Sequence, residues 1–506
     1  MESLKITGDH LTLQDVEDVA RKYKKVTLSE EAREKIRAAR KIIEDIEKES
    51  TPVYGVNTGF GSLVRVKIDK EDRTALQENI LRTHSVGYGA PLSEERVRAI
   101  ILIRINSLSK GYSGVTLELV ETLVEMLNKN LIPFIPEKGS LGASGDLAPL
   151  SHMALPILGL GKAYFEGELL PGNVAMEKAG IPTIKLHAKE GLALINGTTV
   201  LTAIGVLALI DGIKLSKTAD IAAALSIEAL RGVIDAFNEE LHLARPQAGQ
   251  VETAKNLRNL LKGSKQVTRQ GQIKVQDAYS LRCAPQVHGA SKDSLEYVKK
   301  LVEIELNSAT DNPLITKDGV FSGGNFHGEP LAQAFDLLGI AIAEIGSISE
   351  RRVERLVNGS LSGYPSFLVK KPGLNSGFML VQYTAASLVS ENKILSHPAS
   401  VDSIPSCENQ EDFVSMGTIA ARKAGDIAEN VKRILATELV CAAQALDFND
   451  EFKLGEGTDV AYKKIREEIS FLAEDKDVEL YNVLEKSTAM VASGKILDAV
   501  MEKVEL

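Results

Sequence analysis

Tryptophan is absent from the 506 residues, and aromatic side chains make up only 5% of them. Stacking platforms for unpaired bases are therefore scarce, which argues against a single-strand nucleic-acid binder. Positive charge is also in deficit, with 59 Lys and Arg against 69 Asp and Glu and a net charge of −10. No basic stripe interrupts the mixed-sign pattern, so no nucleic-acid partner is expected. Cysteine is sparse: Cys283, Cys407 and Cys441 are far apart and odd in number. They support no disulfide framework and fit a reducing cytoplasm. The first 25 residues show no basic start followed by an apolar stretch, so no secretory signal is expected. Besides His84, the other seven histidines (His10, His152, His187, His242, His288, His327, His397) are scattered without metal-ligand spacing, and no metal is expected. Long uncharged runs are rare too. The stretch 191–210 is one, but Asn196, Gly197, Thr198 and Thr199 near its middle would be costly in lipid. A buried helix is expected there, with no membrane partner.

What is abundant is helical periodicity. Segments 13–23, 29–47, 93–108 and 117–130 place apolar residues three and four apart with charges between them. Ser29 followed by Glu30 and Glu31 reads as an N-cap and acidic first turn. Longer helices are predicted at 199–216, 218–230, 295–307, 330–356, 376–396, 413–444, 459–472 and 478–504. Alternating strand patterns are few, at 164–170 and 314–321. The predicted fold is mainly α: a loop-rich domain over 1–200, then a long antiparallel helical bundle over 201–506. Glycine and proline gather at 54–62, 138–149, 276–289 and 321–330, irregular loops on a rigid scaffold where a site is commonly carried.

The loop GSLGASGDLAPLSHMAL (139–155) fails several familiar readings. No Gly-Lys-Ser/Thr follows, so it is no Walker loop. Asp146 replaces the last glycine of a nucleophile elbow, and no apolar strand precedes it as a dinucleotide fingerprint requires. Two readings stay open. One is a glycine-rich turn in which Asp146 caps the following helix. The other is chemical. In Ala143-Ser144-Gly145 the glycine nitrogen can attack the alanine carbonyl if the backbone is bent, because glycine adds least crowding there. Loss of water from the ring and from the serine leaves a conjugated exocyclic methylene. That electrophile is built from the chain itself and needs no external cofactor.

GSLGASGDLAPLSHMAL resembles the signature of the histidine and phenylalanine ammonia-lyase family, whose members form this methylidene-imidazolone group autocatalytically. The resemblance extends to YGVNTGFG (54–61), LQENILRTHSVGYG (76–89), RINSLSKGYSGV (104–115) and KEGLALINGT (189–198). It continues through QDAYSLRCAPQVHGA (276–290), NSATDNPLI (307–315), SGGNFHGEP (322–330) and SVDSIPSCENQEDFVSMG (400–417), in family order over nearly the full length.

The resemblance implies a role for each matching residue. Tyr54 matches the base that removes the β-proton; a phenol with its ordinary pKa near 10 needs cationic or helix N-terminal surroundings to act near neutrality. Arg282 matches the residue that grips the substrate carboxylate, a task suited to a guanidinium fork. Asn196, Gln276, Tyr279 and Phe326 match pocket and electrophile-polarising positions, where donors to a developing oxyanion act strongly. Asp146 combines capping with help to cyclisation. His84 falls where the histidine-specific members have Ser-His, and Glu411 matches their acidic residue; a carboxylate facing an imidazole N–H makes a charge-assisted bond. Two positions depart from the pattern: Phe413 replaces a histidine, and Thr199 stands where glutamine often follows Asn-Gly-Thr.

The implied reaction is elimination of ammonia from L-histidine to give trans-urocanate. Tyrosine or phenylalanine as substrate, or an aminomutase returning ammonia to the β-carbon, are the alternatives. A homotetramer with sites built by more than one subunit is also implied, in keeping with long helices more apolar than one chain readily covers.

Overall fold

The computed structural model describes residues 3–48, 52–472 and 477–506. Twenty α-helices and nine short strands are found among them, a mainly α fold as the periodicity predicts. The chain forms two compact units. The first comprises Met1–Ala208, Lys299–Asp336 and Pro398–Arg422, and the second Leu209–Val298, Leu337–His397 and Lys423–Leu506. The segments 299–336 and 398–422 thus belong to the same unit as the N-terminal residues.

All nine strands lie in the first unit. Leu4–Ile6 pairs in parallel with Val26–Leu28, and the remaining ladders are antiparallel. The alternating stretches at 164–170 and 314–321 are each a hairpin, the first pairing Lys162–Phe165 with Glu168–Pro171 and the second Leu314–Thr316 with Gly319–Phe321. The unit's core is the helix Glu94–Ser109, buried on every face from Val97 onward. It has no polar side to present to water, so its Arg98 and Arg104 are carried into the interior and must find partners there.

Several helix ends differ from the sequence pattern for identifiable reasons. The helices predicted at 199–216 and 218–230 are one, Thr199–Ala229, because neither Lys217 nor Thr218 breaks a helix. The predicted 478–504 helix is two, Leu480–Ala492 and Lys495–Met501. Gly494 between them has φ +76°, outside any right-handed helix. The helix predicted at 295–307 starts earlier, running Ala284–Leu306. Thr199–Ala229 and Glu329–Val357 are long and apolar enough to cross a membrane by composition; 83% and 67% of their most apolar windows are buried in the protein. The 191–210 stretch is not one helix, since Glu190–Ile195 ends at Asn196 in extended conformation.

The second unit encloses ionic groups. Arg352 and Glu438 are fully buried and paired in two-point fashion, Nη2 donating to Oε2 at 2.9 Å. Ser226 and Ser349 each donate to the same carboxylate at 2.7 Å. Asp220 accepts from Lys292 at 2.7 Å and meets His288 at 2.8 Å. Removing one partner of such a pair strands the other charge. Arg352→Leu is therefore expected to lower stability by about 3–5 kcal/mol, read from urea unfolding followed by far-ultraviolet circular dichroism. A variant as stable as the parent would contradict this account of Glu438.

Candidate active site

The Ala143-Ser144-Gly145 segment is sharply bent. Ser144 has φ +52° and Gly145 φ +80°, and the Gly145 N–H points back to the Gly142 carbonyl at 3.3 Å. A Cβ at Gly145 would lie 2.1 Å from the Gly197 carbonyl oxygen, so only glycine fits. Gly197 braces the bend from behind: its N–H donates to the Ser144 carbonyl at 3.0 Å, and its carbonyl accepts from the Asp146 N–H at 2.8 Å. A left-handed serine held by tertiary contacts is stored strain of the kind found at functional sites. Bent backbone, obligatory glycine and small first residue fit a cyclised Ala-Ser-Gly group at this position.

Asp146 does not cap the helix that follows it, Leu147–Ala154. Its carboxylate instead accepts from the N–H groups of Val200 and Leu201, both at 2.8 Å. It caps Thr199–Ala229, whose first N–H groups would otherwise lack partners. The other oxygen accepts from Ser140 at 3.0 Å and from Thr418. Burial pushes this carboxyl above its ordinary range, against those four hydrogen bonds.

Beside the bend lies a cavity of about 610 Å³ lined by Tyr54, His84, Ser144, Cys407 and Glu411, with Leu76, Leu147 and Leu192 among its apolar walls. The Ser144 hydroxyl donates to Glu411 Oε1 at 3.1 Å, and Ser406 donates to the opposite oxygen at 3.1 Å. Tyr54 Oη accepts from the Gly61 N–H at 3.2 Å. The Tyr54 phenol is pushed up by burial, with Glu411 adding to the shift and the Gly61 N–H opposing it. Among the described residues no cation contributes, so the cationic surroundings expected to lower this pKa are not found around Tyr54. His84 Nδ1 lies 3.0 Å from the Thr83 hydroxyl; burial lowers its pKa, and the ring is neutral near pH 7.

The remaining candidates are divided between the two units. Asn196 stands behind the bend, its side-chain nitrogen donating to Asp311 Oδ1 at 3.2 Å and to the Asn312 carbonyl at 2.9 Å. Both N–H groups thus face acceptors away from the triad. Phe326 belongs to the first unit and is half-buried, but does not line the cavity. Gln276, Tyr279 and Arg282 belong to the second unit. There Arg282 Nε donates to the Asp277 carbonyl at 2.9 Å, its guanidinium 4.6 Å from the centre of the Tyr279 ring. Tyr279 is 71% exposed.

The bent triad, the tyrosine and the carboxylate against Ser144 thus meet within one unit of the fold. Residues 11–467 match the model of the aromatic amino acid lyases. The chain belongs to the aromatic amino acid lyase family. It is accordingly a carbon–nitrogen lyase. The histidine ammonia-lyase of Streptococcus sanguinis is 62% identical over 505 residues, covering 99% of this chain and 98% of that one. Among solved structures, the histidine ammonia-lyase of Trypanosoma cruzi is 41% identical with a TM-score of 0.92, covering 99% of this chain and 95% of its own. The tyrosine aminomutase of Streptomyces globisporus is 38% identical with a TM-score of 0.96, covering 100% and 99%.

The two departures from the family pattern fall outside the cavity lining. Phe413 is 60% exposed and stacks on His327, ring centres 6.0 Å apart. Thr199 is buried in the first turn of Thr199–Ala229. Cys407, which sequence reasoning did not single out, reaches the cavity and accepts from the Ser62 N–H at 3.4 Å. A lone cysteine in a loop carries no signal for this; only the fold brings residue 407 to residue 62. Among the described residues no group of three or more His, Cys, Asp or Glu could hold a metal.

Proposed function

We propose that this chain eliminates ammonia from L-histidine to give trans-urocanate, using a methylidene-imidazolone formed from Ala143-Ser144-Gly145. The observation that carries the reading is the cavity in which Tyr54, His84 and Glu411 surround Ser144. The 62% identity to histidine ammonia-lyases over nearly the whole chain supports the substrate. Once formed, the group supplies an electrophile for the substrate amine, making a poor leaving group leave readily.

The chain's own residues do the rest. Tyr54 takes the β-proton on its phenolate oxygen. Arg282, Gln276, Tyr279 and Phe326 do not line the cavity; on this reading they belong to a site built by more than one subunit, where the Arg282 guanidinium fork would hold the substrate carboxylate. Asn196 holds the backbone behind the triad. Glu411 accepts the imidazole N–H, and neutral His84 can accept or donate beside it. Apolar walls from Leu76, Leu147 and Leu192 exclude water and strengthen these contacts. Asp146 keeps the triad loop fastened to the long helix.

We infer a homotetramer. Of the helix Met379–Leu395 only Val381, Ala385 and Asn392 are buried, while Leu380, Tyr383 and Ile394 are each more than half exposed. Such a patch calls for a protein partner. Three free cysteines fit a cytoplasmic location.

Purified protein offered L-His, L-Tyr and L-Phe separately decides the substrate through the ultraviolet absorbance of each unsaturated product. Urocanate is expected; p-coumarate or cinnamate without it refutes the histidine assignment, and a β-amino acid marks a mutase. Glu411→Ala should lower kcat/KM for L-histidine about 10- to 150-fold, the worth of a charge-assisted hydrogen bond of about 1.5–3 kcal/mol. L-Phe should suffer no comparable loss, since its ring offers no N–H to the carboxylate. An equal loss for both would remove Glu411 from substrate choice.

A further inference from the structure

Behind the bent triad lies a set of buried charges that neither substrate binding nor proton transfer requires. Lys189 and Asp311 are fully buried and paired at 2.6 Å. The other Asp311 oxygen accepts from the Asn196 side chain at 3.2 Å and the Asn312 N–H at 2.7 Å. Arg104 is fully buried as well, its Nη2 donating to the Asn196 main-chain carbonyl at 2.8 Å. The remaining Arg104 nitrogens, Nε and Nη1, have no hydrogen-bond partner among the described residues. Burial lowers this guanidinium to about 10, a measure of how poorly its charge is compensated.

For stability alone this arrangement is costly, and apolar side chains of similar volume commonly do as well or better. A buried cation with orphaned donors therefore calls for another explanation. The contacts converge on one residue. Arg104 holds Asn196 by its carbonyl, and Asp311, neutralised by Lys189, holds it by its amide. The next residue, Gly197, gives its N–H to Ser144 and its carbonyl to Asp146. That carbonyl lies where any Cβ on Gly145 would be. Lys189 adds strain of its own at φ +76°, at the start of the short helix Glu190–Ile195 that delivers Asn196.

We propose that Arg104, Lys189 and Asp311 are positioning residues for maturation, clamping the Asn196–Gly197 peptide so that it holds the triad in the bend needed for ring closure. The proposal rests on the methylidene-imidazolone reading above. In that closure the Gly145 nitrogen bonds to the Ala143 carbonyl carbon, and its proton passes to the carbonyl oxygen. The resulting hydroxyl leaves as water with the Ser144 N–H proton, giving a carbon–nitrogen double bond. The Ser144 Cα proton and Cβ hydroxyl leave as a second water, giving the exocyclic methylene. No oxidant or co-reactant is needed. Closure demands near-attack placement of one amide nitrogen, and a misplacement of about 1 Å can cost about 100-fold in rate.

The test uses intact-mass spectrometry of freshly purified full-length protein, which counts molecules lighter by two waters. Wild type is expected to be mature, and Arg104→Gln to retain its circular dichroism while the mature fraction falls at least about tenfold. Turnover per mature site should stay close to wild type, because none of the three residues lines the cavity. The double variant Lys189→Met with Asp311→Leu removes both charges of the pair together and should show the same loss, which keeps the test open if Arg104→Gln does not fold. Complete maturation in either folded variant overturns the clamp while leaving the lyase reading intact. Wild type without the mass deficit overturns both.

Discussion

Ser144→Ala is expected to abolish turnover, by about 10³-fold or more, while the protein remains folded. Among the described residues the side chain makes a single hydrogen bond, to Glu411 at 3.1 Å, and the bend is held by main-chain contacts from Gly197 that alanine retains. The fold therefore has little to lose. Alanine has no hydroxyl to expel, so no exocyclic methylene can form and the substrate amine has nothing to attack. Losses of this size follow when a group acting as part of a covalent apparatus is removed. Two measurements check it together: steady-state rates and intact mass, which should lack the second water loss. Residual activity within tenfold of wild type would rule out the self-built electrophile.

Tyr54→Phe should cost about 10²–10⁴-fold in kcat, the usual worth of a positioned base, with the mature mass unchanged. The pH dependence gives a sharper signature. Because burial raises the Tyr54 phenol above its ordinary value, only a small fraction is phenolate at neutrality. That fraction grows tenfold per pH unit until the phenol titrates. The wild-type rate should therefore climb with pH from neutrality into the alkaline range, and the phenylalanine variant should lose that limb. A wild-type profile falling from pH 7 to 9 would exclude Tyr54 as the base. Ordinary loss of packing does not reproduce the second effect: the ring contact of Tyr54 with Phe60, centres 6.3 Å apart, survives the substitution.

Much of the helical scaffold is legible in the chain because burial on one face imposes a three-and-four rhythm whatever the tertiary context. The break at Gly494 and the fusion across Lys217 are not, since a lone glycine is tolerated within many helices and no residue at 217 argues for a stop. The site is readable in a different measure. Tyr54, Ser144 and Glu411 fall in motifs that can be quoted from the sequence, and the fold brings them to one cavity. Asp146 is the instructive case. An aspartate before a helix reads as its cap, yet this one serves a helix that starts 53 residues later at Thr199, because the loop turns back on itself at Gly145. Local sequence can report the capping chemistry of a residue, but not which helix end will reach it. Arg104 is hidden for a similar reason: within an apolar helix it reads as an exposed position until the helix proves to be buried all round.

The two hydrogen bonds from Val200 and Leu201 to Asp146 have a bearing on timing. An unfolded or half-made chain has no helix start for that carboxylate to meet, and its Ala-Ser-Gly segment samples open backbone as freely as any tripeptide. On the proposed reading, the ring would then close only after the triad loop has met Gly197, Val200, Leu201 and Thr418 and the groups behind them. Being irreversible, it would outlast later unfolding, so each polypeptide would carry a covalent memento of having once been native. In a denatured sample, the proportion of molecules lighter by two waters would count how many had ever folded, long after the fold itself was gone.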